Sequence, residues 1–260
     1  MIVDYLQRGI LAGVVAGLAY GMYMAFVANP LSEYLHDTQH EHGHDEHGHD
    51  DHGHGHGHGE HVHEHAEHAV SETTTALVSI GSGALWAIFL GGLFALALYV
   101  LEPALPGPDG IKTYVLAGAG FISVSVTPWL VLPPAAPGAE QLYSIESRLA
   151  IYVALIALGA VVSAASIAAY RRTATRHPAI GVAAGAVPIA AMLAVVPSIT
   201  PTVVTHPELS SALVSAYRAL AVLSQAAIWV LLAGTFNWLQ RRADPATAVD
   251  GSHETLTTKQ

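Results

Sequence analysis

Six stretches of this chain lack any Asp, Glu, Lys or Arg for about the length that crosses a bilayer core, roughly 20 residues. They are Gly9–Ala28, Ala76–Leu101, Tyr114–Val131, Leu149–Tyr170, Ala179–Pro197 and Ala219–Leu239. In a chain of 260 residues they leave little for a water-soluble core. Charged residues make up only 12%, against about 25% in soluble domains. Lipid offers no partner to a free backbone N–H or C=O, so each stretch must be helical. The expected fold is all-α: a polytopic integral membrane protein of six transmembrane helices. The first run exceeds the roughly 7–15 residues of a signal-peptide core. Phe26 and Ala28 also make a poor cleavage site, so this run is read as a membrane helix. The expected organisation is an N-terminus and first helix over 1–29, an outer loop over 30–75, a five-helix region over 76–242 and a tail over 243–260.

Six spans place both termini on one side, and the distribution of Lys and Arg assigns that side. The terminal segments and even-numbered loops hold Arg8, Lys112, Arg171, Arg172, Arg176, Arg241, Arg242 and Lys259. The odd-numbered loops hold Arg148, and Arg218 lies near the outer end of the last helix. The termini are therefore expected in the cytoplasm of a cell-membrane protein, with residues 30–75 outside. Residues 31–75 contain eleven acids and no Lys or Arg. They account for the formal net charge of −10, because the remainder of the chain is near neutral. Such a loop attracts cations and has no use for nucleic acid.

The loop's chemistry is carried by histidine. Fourteen occur within 33 residues: His36, His40, His42, His44, His47, His49, His52, His54, His56, His58, His61, His63, His65 and His68. Nine acids are interspersed, and apolar residues are almost absent. The segment cannot bury a core and is expected to be disordered. Imidazole suits borderline divalent ions such as cobalt, nickel, zinc and copper. In extended chain, residues two apart point the same way, so the His-x-His steps can converge on one ion. An expression tag is usually terminal and uninterrupted, whereas this tract is internal and mixed with acid. The expectation is a set of weak, interchangeable metal sites that empty as pH falls through about 6.5. The chain has no cysteine, so metal ligands must be nitrogen, oxygen or thioether.

Within the helices, Gly9, Gly13, Gly17 and Gly21 recur every four residues. They form one face on which a neighbouring backbone can approach closely. Pro30, Pro128 and Pro197 close the three odd-numbered helices, which suggests three helical hairpins of like orientation. Pro128 lies inside an apolar run and is expected to kink or break the third helix, with Pro133, Pro134 and Pro137 holding extended chain beyond it. A broken helix can offer carbonyls to a cation, and an ordinary proline-rich loop fits the same residues. Candidate ion-path residues are Glu33, Pro128, Pro134, Glu146, Arg148 and His206, although all could equally sit at the interface. Met22 and Met24 are thioether candidates for which packing is the simpler reading. A phosphate-binding glycine loop and a His-Glu-x-x-His helix are both missing, and no paired nucleophile and base stand in the spans. The protein is not expected to be an enzyme.

The opening GILAGVVAGLAYGMYMAFVANPLSEYLH resembles the start of the CbtA family of predicted cobalt transporters, in its small-residue first helix and in Pro30, Leu31 and Glu33. The segment TPWLVLPPAAPGAEQLYSIESRLAIYV is similar to that family's proline-rich stretch, in Pro128, Pro133, Pro134, Pro137, Gly138 and Arg148. The histidine tract after the first helix is in keeping with it. The resemblance implies cobalt uptake, a role in cobalamin synthesis and a small companion membrane subunit. Divalent metal would then be substrate, with cobalt expected and nickel or zinc as alternatives. The residues by themselves support an outward-facing metal trap on six helices. That trap also fits a membrane-anchored buffer or sensor, or a transporter directed at zinc or nickel.

Overall fold

The computed structural model describes residues 2–42, 72–136, 139–200, 204–205 and 209–243. Among the described residues there are eight α-helices: α1 (Ile2–Tyr23), α2 (Asn29–His42), α3 (Glu72–Leu101), α4 (Asp109–Phe121), α5 (Thr127–Trp129), α6 (Ile145–Thr173), α7 (Pro178–Ile199) and α8 (Ser211–Ala243). Five-residue π-helical turns join α1 to α2 (Met24–Ala28) and α4 to α5 (Ile122–Val126). Among the described residues, six helices are long and apolar enough to cross a membrane: Ile2–Leu35, Ile80–Ala104, Asp109–Trp129, Ile145–Thr173, Pro178–Ile199 and Ser211–Ala243. All six apolar runs of the sequence are thus helical spans.

Three boundaries differ from expectation. The first helix does not stop at Pro30 but continues to His42, the second begins at Glu72 rather than Ala76, and the fifth runs past Pro197 to Ile199. A proline inside an α-helix lacks one N–H, and its ring collides with the carbonyl four residues back. The wide turn at Met24–Ala28 supplies the room, with Asn29 N–H bonding to Met24 O, five residues back. The third span solves the same problem in the same way. Thr127 N–H bonds to Ile122 O, and the helix runs past Pro128 to Trp129 before ending. The wide turn therefore accommodates Pro128, and the helix ends one residue beyond it.

The spans pack in the lateral order second, first, sixth, third, fourth, fifth. The first and second spans form one antiparallel hairpin, and the third and fourth another. The fifth lies against the fourth, while the sixth packs on the first and third. Tyr5 and Phe236 rings stand 5.9 Å apart, so the two ends of the bundle sequence meet at one face of the membrane domain.

The glycine face of α1 is what brings the first and second spans together. A Cβ at Gly17 would lie 2.7 Å from Ala84 Cα, and one at Gly21 would lie 2.7 Å from Ile80 Cα. Gly9 meets the backbone of Gly91 in the same manner. Two apolar cores result. One joins the first, second, third and sixth spans through Ala12, Ala16, Phe94, Leu98, Leu232 and Phe236. The other joins the third, fourth and fifth spans through Val131, Leu155, Met192 and Val196.

Local signals start and stop the later helices. Ser144 caps α6 by accepting from Ser147 N–H at 3.3 Å, satisfying a donor that the first turn leaves open. His177 Nδ1 accepts from Ala179 N–H at 3.2 Å, with Pro178 at the first helical position of α7. Arg171 and Arg172 close α6, and Arg241 and Arg242 close α8, where positive charge offsets the helix dipole. Two strands of two residues each, β1 (Glu140–Gln141) and β2 (Val204–Thr205), pair antiparallel. They tie the loop after the third span to the loop after the fifth.

Candidate functional site

The sequence candidates fall into three groups. His36, His40 and His42 lie within α2, where positions 36 and 40 are one helical turn apart. The remaining eleven tract histidines and His206 lie outside the described residues. Glu33 is exposed on α2, and Glu146 is exposed in the first turn of α6. Among the described residues, no three His, Asp or Glu side chains are grouped so as to hold a metal.

Arg148 is half-buried, and with Pro133, Tyr152 and Val204 it lines an open cleft of about 520 Å³ at the tract end of the bundle. Pro134 is half-buried in the extended segment beside that cleft, and Pro128 is fully buried beneath it.

Pro128 shapes the polar chemistry of this region, because it has no N–H to give to the carbonyls of the preceding turn. Val124 O instead accepts from Tyr152 Oη of the fourth span at 3.1 Å. Ile122 O accepts from Thr127 twice, through the backbone N–H and through Oγ1 at 2.8 Å. Thr127 Oγ1 also stands 3.2 Å from Met192 Sδ of the fifth span. One turn away, Ser123 Oγ donates to Ala119 O at 2.7 Å and lies 3.4 Å from Ser163 Oγ of the fourth span. Ser123, Ser125, Thr127 and Ser163 are all buried. Close approach here depends on Gly159, where a Cβ would stand 2.6 Å from Ser123 Cα and 2.7 Å from Thr127 Oγ1.

Ser123 and Ser163 also border a second opening, a groove of about 400 Å³ between the third and fourth spans. It runs toward Arg171, whose guanidinium donates to Ala104 O at 3.0 Å. A further polar cluster sits at the termini end. Tyr5 Oη donates to Glu102 Oε2 at 2.8 Å, and Lys112 Nζ lies 3.5 Å from Glu102 and 2.8 Å from Asp109. These groups join the first three spans; the Lys112–Glu102 pair is partly buried, while Asp109 is exposed and its pair with Lys112 is open to solvent screening.

Neither cluster was among the sequence candidates. Thr127, Ser123 and Ser125 alternate in the sequence as Ser-x-Ser-x-Thr-Pro, and a polar run before an intramembrane proline was the available signal. Met192 carried none, since a methionine in an apolar run reads as packing.

A search of curated proteins found no match, and a search of solved structures found none. The family described as "probable cobalt transporter subunit (CbtA)" matches residues 2–241, nearly the whole chain. With six spans and this match in hand, the chain belongs to the CbtA family of multi-pass membrane proteins.

Proposed function

We propose that this protein is the membrane subunit of a cobalt importer, with the histidine tract gathering ions outside the cell and the helices passing them inward. The observation that carries the reading is the match of residues 2–241 to a family of probable cobalt transporter subunits. The tract adds to it: 14 histidines and interspersed acids form a polydentate divalent-metal collector. The excess of Lys and Arg on the termini side supports an extracellular tract and cytoplasmic termini. Glu33 and Glu146, exposed near the tract end, are suited to relay ions from the tract toward the cleft beside Arg148 and Pro134, and His206 is a further candidate from the sequence alone. The family's description as a subunit supports a companion membrane chain. A cobalt supply for cobalamin synthesis is the use this reading favours.

Deleting residues 36–68 separates import from simple buffering. An importer without its collector keeps uptake at high Co2+ and loses it at low Co2+, whereas a buffer loses all metal-dependent function. The collector's contribution should also fall as external pH drops through about 6.5, because protons compete for imidazole. Protonation removes ligands, so the loss is on the acid side. Equal uptake at pH 5.5 and 7.5 at limiting Co2+ contradicts a histidine-based collector.

A further inference from the structure

Three donor atoms of different softness meet where the third and fifth spans touch. Thr127 Oγ1 is 2.8 Å from Ile122 O and 3.2 Å from Met192 Sδ. Thr127 is fully buried, and Met192 is 5% exposed. Stepwise along the same seam lie the Ser123–Ser163 hydroxyl pair on one side and Tyr152 on the other. Ser123 and Ser163 border the groove that leads toward Arg171, and Tyr152 borders the cleft at the tract end. These polar atoms thus lie between the two openings. The π-turn is what presents Ile122 O to the seam, and such turns recur at functional positions in helices.

We propose that Ile122 O, Thr127 Oγ1 and Met192 Sδ form a transit site for a partly hydrated divalent transition metal, an assignment that rests on the import reading above. All three ligands are neutral, so binding is weak enough for an ion to leave again, as conduction requires. The thioether sets the selectivity. Sulfur favours transition metals, while Mg2+ holds its water and takes oxygen ligands. Ser123 and Ser163 supply the next oxygens along the path.

The absence of cysteine makes a direct test possible in the full chain. Radioactive Co2+ uptake is measured in cells expressing the protein with its companion, in excess Mg2+. Met192→Leu is expected to cut uptake at saturating Co2+ about tenfold or more, because it removes the ligand and keeps the volume. Met192→Cys is expected to restore uptake and to make it sensitive to block by Cd2+. Met22→Leu, on the exposed side of the first span, should transport normally. If Met192→Leu transports as well as the unmodified chain, the Thr127–Met192 contact is packing alone and the site is overturned.

Thiol labelling carries the test should the leucine variant fail to reach the membrane. Met192→Cys should react with a small hydrophilic thiol reagent, and Co2+ should slow that reaction. A thiol that is inert, or whose reaction ignores Co2+, overturns the site. No uptake by the unmodified chain would instead sink the import reading, and labelling reads the seam without it.

Discussion

The first and third spans carry the same backbone device in different surroundings. Each has a five-residue π-turn that ends one residue before an Asn-Pro or Thr-Pro pair, at Asn29–Pro30 and Thr127–Pro128. In the first span none of the turn's residues is buried, and Pro30 is exposed. In the third span the turn buries Ser123 and Ser125, and Pro128 is fully buried. The device itself only makes room for a proline ring. Neighbouring spans decide whether the loosened backbone becomes a polar site, because only there do Tyr152, Ser163 and Met192 reach it.

The largest effect that would sharpen this contrast is expected at Gly159. Gly159→Val forces side-chain atoms into Ser123 and Thr127, and should destabilise the bundle by about 3 kcal/mol and abolish uptake. Thermal stability in detergent and metal uptake both read it. Normal stability and uptake in this variant would show that the third and fourth spans are not held as closely as described. Gly17→Val in the first seam should be comparably destabilising, since a Cβ there already meets Ala84 Cα at 2.7 Å. A milder Gly17→Ala that folds should leave metal selectivity unchanged, because the atoms that meet this position belong to Ala84 and Ala87 and offer no polar side chain. Altered Co2+ over Mg2+ preference in it would erase the distinction between the two regions.

Tyr152→Phe should cost about 1–2 kcal/mol, the penalty for stranding the half-buried Val124 carbonyl. A melting temperature unchanged from the parent would argue against that bond. Arg148→Gln should raise Co2+ uptake severalfold at low ionic strength and less in high salt, because a half-exposed positive charge beside the cleft repels cations and is screened by salt. Smallest of all, Pro30→Ala should shift stability by no more than about 0.5 kcal/mol, whereas Pro128→Ala, in the buried seam, should shift it more. Equal effects at the two prolines would contradict the comparison.

Much of this fold was legible before any coordinates. Charge-free runs of membrane length fixed six spans, and the glycine spacing of α1 announced its close packing. Both signals are local, set by lipid solvation and helical period. Helix ends were less legible. Pro30 and Pro128 looked like stops, but a wider turn upstream absorbs each ring, and nothing in residue type marks such a turn. The seam was least legible, because Thr127 and Met192 are 65 residues apart and Ser123 and Ser163 are 40 apart. Packing order brings them together, and packing order has no period to read. Glu33 and Glu146 drew attention as charges near the membrane, yet both are exposed, while the polar atoms buried between spans are neutral.

Uptake of radioactive Co2+ into cells, with and without this chain and its companion, addresses the central claim most directly. The account predicts accumulation that requires the chain, persists at high Co2+ without residues 36–68, and weakens at low Co2+ when they are removed. Accumulation indistinguishable from cells lacking the chain, at every Co2+ concentration, would contradict it.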